Sequence, residues 1–457
     1  MRRVIGLETE YGLRARRDGR IIGADEAGQL LFVPLARARG STSAFLQGGG
    51  RLYLDVGSHP EYATPECTSA TDAVVADRAG DEVLLALVRQ AVAAESQSGH
   101  DTYFELYRNN VDRAGNTWGS HENYLVSRST EPGTLAEWLV PFLVSRQLIA
   151  GAGRWHRGRF TLSQRCEVLF DSVSGATTRD RPLINTRDEP HADPERYRRL
   201  HVLSGDTNVC EQTTWLKLVS TGLVLRAAEA GRRPPVSLDA PLRALREWGS
   251  DPRHVTDAGD AWDVQWGFFD AVVDLAEDEE ERDGLDEWAS TLEQTAAGGA
   301  GVAEWAHKRR LLESWRDRHG WGDADPNLDA LDLNYHLIGT DEEGVPPGAG
   351  RKLEAHGLLR RISTPESVAS ALRQAPSPSR ARLRGRAVAA AREHDRDVSF
   401  DWAEIAVHDM PDEFGRATTL RVRMDDPLAS SDPAIEDLIG RLAEPPGRIT
   451  GGFVPPT

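Results

Sequence analysis

The stretch Arg51-Leu-Tyr-Leu-Asp-Val56 constrains the fold more than any other part of the chain. Residues two apart in an extended strand share a face. Arg51, Tyr53 and Asp55 therefore point one way, and Leu52, Leu54 and Val56 the other. Such a strand belongs in a sheet with one side packed on helices and the other left as a polar floor. Leu7-Glu-Thr-Glu10 repeats the pattern, with Glu8 and Glu10 together and Leu7 and Thr9 opposed. Past the second strand, Gly57-Ser-His-Pro-Glu61-Tyr-Ala-Thr64 adds a carboxylate and a hydroxyl.

Glu8, Glu10, Asp55 and Glu61 on one floor would repel one another unless divalent cations sat among them. Magnesium is the expected ion, because it takes hard oxygen ligands and bridges carboxylates to phosphates. The competing reading makes these acids surface residues or arginine partners, and the neighbouring Arg-x-Tyr-x-Asp face disfavours it. No P-loop exists, since none of the three lysines, Lys217, Lys308 and Lys352, is followed by Ser or Thr. ATP, if used, must lie on the sheet through metal and arginine contacts.

Further polar clusters are Gly119-Ser-His121-Glu-Asn123-Tyr, Ser163-Gln-Arg165 and Asn185-Thr-Arg187-Asp-Glu-Pro-His191-Ala-Asp193, followed by Arg196-Tyr-Arg-Arg199. The histidines form no His-x-x-x-His pair or Cys/His set, so they are not expected to bind metal. Arg187, Arg198 and Arg199 could meet phosphate or carboxylate groups or serve equally well in surface ion pairs.

At 457 residues the chain exceeds what a single core usually holds, about 250 to 300 residues, so a large unit with a smaller appendage is expected. Helical spacing is predicted over 24–38, 71–94 and 135–150, and over most of 211–330. Strands are predicted over 2–12, 51–56, 102–107 and 122–126. The acidic run Asp278 to Asp283 reads as a solvated helix face, and 339–351 as a flexible loop. A final block holds helices at 379–392 and 433–442 and strands at 398–407 and 418–423, before a Pro/Gly-rich tail.

The net charge of −18 argues against nucleic acid or an anionic membrane as partner. Cys67, Cys166 and Cys210 are too dispersed for a zinc or redox motif. No apolar run approaches the roughly 20 residues that span a bilayer, and no signal-peptide core follows Arg2-Arg3. A cytoplasmic location is expected.

The chain resembles the Pup ligase family, which attaches the small disordered protein Pup to lysines, together with its sister, the Pup deamidase and depupylase. The likeness runs through Gly6-Leu-Glu-Thr-Glu-Tyr-Gly12, residues 51–64, Ser120-His-Glu-Asn-Tyr-Leu125, Pro141-Phe-Leu-Val-Ser-Arg-Gln147, residues 184–193 and Ser379-Arg-Ala-Arg-Leu-Arg-Gly385. It implies an α+β, glutamine-synthetase-like carboxylate-amine ligase fold: a curved antiparallel sheet cradle backed by helices (1–375), with a small C-terminal domain (376–457) completing the nucleotide site. Carried over by motif, Glu8, Tyr53 and Glu61 would bind magnesium, Arg51, Thr64 and Trp402 would contact ATP, and Asp55 would be the catalytic base. From sequence alone Trp402 also reads as a core aromatic in a strand. The implied reaction phosphorylates the side-chain carboxylate of Pup's C-terminal Glu and joins it to a target lysine by an isopeptide bond. Pup, being acidic, would fold onto an arginine-lined groove. The short span of residues 13–50 matches the ligase, since the sister carries a long insertion there. Ser120 resembles the sister, and Arg386 stands where the ligase usually has Glu. A depupylase, or a small-molecule carboxylate-amine ligase on the same fold, is the alternative.

Overall fold

The computed structural model describes residues 3–55, 57–175, 181–339 and 347–447. Val56, most of the expected 339–351 loop and the tail from 448 lie outside the described residues. Sixteen strands are described: β1 (Ile5–Glu10), β2 (Gly12–Arg17), β3 (Arg20–Ile21), β4 (Ser43–Phe45), β5 (Arg51–Leu54), β6 (Pro60–Ala63), β7 (Thr102–Tyr107), β8 (Ser120–Ser127), β9 (Arg154–His156), β10 (Arg159–Thr161), β11 (Asp171–Ser174), β12 (Pro182–Asn185), β13 (Tyr197–Val202), β14 (Val398–Phe400), β15 (Glu404–Pro411) and β16 (Ala417–Arg423).

The central sheet has eight strands in the order β11-β12-β13-β8-β1-β6-β5-β4. All its pairings are antiparallel except β11 with β12, which is parallel, so the expected antiparallel cradle is a mixed sheet. Strand direction leaves no trace in hydrophobic alternation, so nothing in the local pattern announces that parallel edge. The predicted strand over 2–12 also splits. Tyr11 turns the chain, its hydroxyl donating to Asp81, and β2 leaves to pair with β3 and β7 in a second sheet. Glycine is required at position 12: a Cβ there would fall 2.6 Å from Asn109 Oδ1 and 2.8 Å from Trp118.

The apolar face follows the parity rule. Leu7, Tyr124, Val126, Leu200 and Val202 enter the main core, and Leu52 and Tyr62 a second one. Eight helices built on that side carry the partners: α1 (Ala24–Arg39), α2 (Ala70–Gln97), α3 (Pro132–Ser145), α4 (Gln147–Ala150), α5 (Glu211–Glu229), α6 (Pro241–Ser250), α7 (Ala261–Val272) and α8 (Glu279–Ala296). Trp138 on α3, Phe268 on α7 and Trp288 on α8 are fully buried there. The acidic run is more than a solvated face. Glu280 accepts the backbone N–H groups of Ala70 and Thr71 at the start of α2, neutralising donors that a helix N-terminus leaves unpaired, and Glu281 pairs with Arg226 at 2.5 Å. No described helix is long and apolar enough to cross a membrane.

The remaining helices are α9 (Glu304–His319), α10 (Pro326–Tyr335), α11 (Ala349–Ala355), α12 (Pro365–Ala371), α13 (Arg380–Glu393) and α14 (Pro433–Arg441). α13 and α14 cover the three-stranded sheet β14-β15-β16 around a separate core that includes Leu383, Ile405, Val407, Met410, Ile435 and Leu438. The strand predicted over 398–407 is interrupted at 401–403, and this turn carries Trp402.

Candidate active site on the polar face of the sheet

Register alone assembles the floor. Glu10 on β1 faces Glu61 on β6, and Glu61 faces Tyr53 on β5. One row along, His121 on β8 faces Glu8, Glu8 faces Ala63, and Ala63 faces Arg51. The small Ala63 leaves the space between Glu8 and Arg51 open. Arg51 stacks over the Tyr53 ring at 4.6 Å and donates from Nε to Ser43 Oγ at 3.0 Å. Asp55 follows the last residue of β5 in a turn closed by Asp55 N–H to His59 O and Ser58 N–H to Asp55 O, both 3.0 Å.

The acids separate into two groups whose potential ligand atoms lie within 4.8 Å of one another: Glu8 with His121 and His201, and Glu10 with Asp55 and Glu61. Glu8 receives His121 Nδ1 and Asn123 Nδ2, each at 3.1 Å, and Arg199 Nη1 stands 3.6 Å away. His201 Nε2 is buried 3.5 Å from the same carboxylate without a geometric hydrogen-bond partner among the described residues.

The electrostatics follow from that division. Burial alone would raise Glu8, but the His201 and His121 charges outweigh it and hold the carboxyl well below its usual range. Glu61 goes the other way: burial, then the charges of Glu8 and Glu10, push it well above that range despite the Tyr53 hydrogen bond. Burial also raises Glu10 against the pull of His121 and Arg165, and burial and Glu61 raise the Tyr53 phenol. The Glu10 and Glu61 half of the floor is short of positive charge, and an oxygen-rich donor set in that condition fits a divalent cation.

A cleft of about 590 Å³ opens where the floor meets the C-terminal helices, lined by Glu8, Thr64, His191, Arg199, Arg380 and Trp402 among others. An aromatic ring, two arginines and a carboxylate converging on one cleft suit a small-molecule ligand. The Trp402 ring meets Phe45 edge-on at 5.0 Å, and Arg384 lies over it at 4.9 Å. The expectation of a core aromatic in a strand is therefore overturned, because the turn projects the ring into the cleft. Thr64 has a structural duty too, its Oγ1 accepting the Leu7 N–H at 2.9 Å. Buried Glu66 ties the C-terminal unit to the sheet, accepting Arg380 Nε at 2.7 Å and Arg384 Nη2 at 2.5 Å.

At the other end of β1 a groove of about 930 Å³ runs past Gly12, Arg14, Arg113, Trp118 and Arg154. A recess carrying Arg113, Arg154, Arg157 and Arg159 adjoins it. Trp118 stacks on His59 at 4.8 Å, and His59 is the residue whose carbonyl closes the Asp55 turn.

Glu8, Arg51, Tyr53, Asp55 and Glu61 are thus together on the floor, with Thr64 and Trp402 in the adjoining cleft. Of the three candidate arginines only Arg199 reaches both floor and cleft. Arg187 faces Glu189 at 3.7 Å, and Arg198 lies 4.0 Å from Asp188. Sequence reasoning missed His121 and His201 because it sought ligand pairs within one element, whereas these come from separate strands. The signal existed: His121 with Asn123, and Arg199 with His201, show the same two-residue spacing that singled out Arg51, Tyr53 and Asp55.

Residues 3–406 match the family model described as Pup-ligase protein. The Pup–protein ligases of Mycolicibacterium smegmatis and Rhodococcus opacus are 40% and 41% identical to this chain over 464 aligned positions, spanning 96% of it and 100% of each relative. The crystal structure of the complex between prokaryotic ubiquitin-like protein Pup and its ligase PafA matches with a TM-score of 0.88 at 34% identity, covering 96% of this chain and 91% of that one. The Pup ligase PafA in complex with ADP matches with a TM-score of 0.80, also at 34% identity, over 92% and 94%. With a family match across most of its length and relatives of this similarity covered end to end, the chain belongs to the Pup ligase family.

Proposed function

We propose that the protein is an ATP-dependent ligase that phosphorylates the side-chain carboxylate of Pup's C-terminal Glu and joins it to target-protein lysines by an isopeptide bond. The carrying observation is the two-ended floor: a cleft at Glu8, an arginine-lined groove at Trp118, which stacks on His59 beside the Asp55 turn, and two groups of acidic side chains on the sheet. A relative seen with ADP and one seen with Pup support the two occupants. The groove's arginines suit an acidic, disordered chain that orders on binding, which reconciles a net charge of −18 with an acidic partner.

Glu8, Tyr53 and Glu61 would hold magnesium, with His121 and His201 completing the surroundings of Glu8. When bound, the ion neutralises the phosphoryl group in transfer. Trp402 and Thr64 position the nucleoside end, and Arg51, held by Tyr53 and Ser43, presents its guanidinium to the phosphates. A free carboxylate at neutral pH would merely neutralise an amine, hence the need for an acyl phosphate. A target lysine with an ordinary pKa near 10.4 must lose a proton, which at pH 7 costs about 4.6 kcal/mol. Asp55 takes that proton. The short β2-to-β5 connection, filled by β3, α1 and β4, supports ligase over depupylase. Three buried, unpaired cysteines support a reducing, cytoplasmic setting.

The decisive experiment supplies ATP, magnesium and a lysine-bearing acceptor with Pup ending in Glu or in Gln. Conjugation from the Glu form is expected; deamidation of the Gln form without conjugation from the Glu form would establish the hydrolase instead. Replacing Trp402 by Ala should raise KM for ATP by about 5- to 150-fold, from roughly 1–3 kcal/mol of lost base stacking, with little change in kcat. An unchanged KM would take Trp402 out of the nucleotide site.

A further inference from the structure

Most guanidinium groups buried in this fold face a carboxylate. Arg108 lies against Asp77 and Asp81, Arg146 against Glu122, Arg380 and Arg384 against Glu66, and Arg396 against Asp409. Arg154, in the arginine-lined groove, and Arg165 are the exceptions. Arg165 is 5% exposed and makes no ion pair among the described residues. Its Nη1 donates to Leu203 O at 2.5 Å, and its Nε has no hydrogen-bond partner there. A buried cation without a counterion is costly, and burial lowers the Arg165 pKa against the pull of Glu10 and Asp206.

The nearby acids do not neutralise it. Asp206 is committed to the turn that carries Arg165, accepting the Ala152 N–H at 2.9 Å, the Ser163 hydroxyl at 2.9 Å and the Gln164 N–H at 3.0 Å. Glu10 belongs to the oxygen-rich group with Asp55 and Glu61 that fits a divalent cation.

The same turn is tied to the groove. Gln164 Oε1 accepts the Asn110 N–H at 2.9 Å, and Asn109, Val111 and Trp118 on either side of Asn110 in that loop line the groove. Where the loop re-enters the sheet, a Cβ on Gly119 would fall 2.6 Å from Glu10 Oε1. Arg165 therefore stands between the loop that lines the groove and the acid at the end of β1.

We propose, resting on the ligase reading above, that Arg165 binds the main-chain carboxylate of Pup's terminal residue and so restricts the acyl donor to a glutamate at the end of a chain. A terminal glutamate brings two carboxylates to the floor: one is phosphorylated, and the other stays ionised throughout. Arg165 supplies the second with charge-assisted hydrogen bonds. An acidic chain offers many side-chain carboxylates, but an internal glutamate carries an amide in place of the second one and leaves the buried guanidinium uncompensated.

The test uses Pup whose terminal glutamate carries either the free α-carboxylate or an α-carboxamide, its side-chain carboxylate intact in both, with ATP, magnesium and a lysine-bearing acceptor. In the unaltered protein the carboxamide form should lose about 10- to 150-fold in kcat/KM, the worth of a hydrogen bond to a charged group. R165M should lose a similar factor with the free carboxylate, through KM for Pup with KM for ATP unchanged, and should treat the two forms alike. R165K should restore part of the discrimination. Equal use of both forms by the unaltered protein would overturn the proposal. So would an R165M whose turnover falls by one factor for both forms, which would place Arg165 on the phosphoryl group instead. Should R165M lack a cooperative melting transition, the carboxamide comparison in the unaltered protein decides by itself. Absence of conjugation from the free-carboxylate form by the unaltered protein would overturn the ligase reading.

Discussion

Asp55→Asn is expected to reduce conjugation about 10²- to 10⁴-fold, the range for loss of a general base, while ATP binding stays close to that of the unaltered protein. The substitution keeps size and shape and removes only the charge. The turn that carries residue 55 is closed by backbone bonds to His59 and Ser58, which Asn leaves intact. Thr64 and Trp402, the residues assigned to the nucleoside end, line a cleft that Asp55 does not reach. Single-turnover conjugation rates beside calorimetric nucleotide titrations separate the two effects, and undiminished conjugation would remove Asp55 from its role. Because Asp55 also belongs to the Glu10 and Glu61 group, a rate restored by excess magnesium would make it a metal ligand and not a base.

Glu66→Ala carries the largest expected cost in stability, about 3–5 kcal/mol, the penalty for stripping one partner from a buried ion pair. Arg380 and Arg384 are 3% and 0% exposed and would be left facing an empty pocket. Arg384 also donates to Gly49 O and Trp402 O, so the C-terminal unit should loosen and nucleotide affinity fall with it. The unaltered protein should show the same linkage as a function of pH. Burial alone would raise the Glu66 carboxyl, but Arg384 and Arg380 outweigh it and bring it to about 2. A depressed carboxylate contributes stability that is complete above its unfolded value, near 4.5, and is lost as pH falls toward 2. That contribution is on the order of 3 kcal/mol. Melting temperatures measured from pH 6 down to pH 2 should fall through this window, and the Glu66→Gln variant should lack that part of the decline. A variant with an unchanged acid limb would show that other carboxylates govern it.

Much of the fold was legible because burial imposes a period. The alternation at 51–55 and 7–10 identified one polar and one apolar face, and helical spacing located α2 and the helices beyond 211. Glu8, Arg51, Tyr53 and Asp55 were found by the same parity and Glu61 by its place just past the strand, together with family likeness. Three features escaped. The β11–β12 pairing is parallel, which alternation does not encode. The acidic run conceals Glu280, a cap for a helix about 210 residues earlier in the chain. Trp402 sits in a turn inside what reads as one continuous strand.

The sequence by itself determined which face of each strand is polar and which residues could meet on it, because side-chain direction along a strand is a local consequence of backbone geometry. Only the tertiary structure decided which strands are neighbours. Register placed His121 and His201 against Glu8 and divided the carboxylates into two groups, and the clamp of Arg380 and Arg384 on Glu66 brought Trp402 to the cleft. Those contacts join residues between 51 and 318 positions apart, and such closures depend on the packing of the whole core, not on any local period.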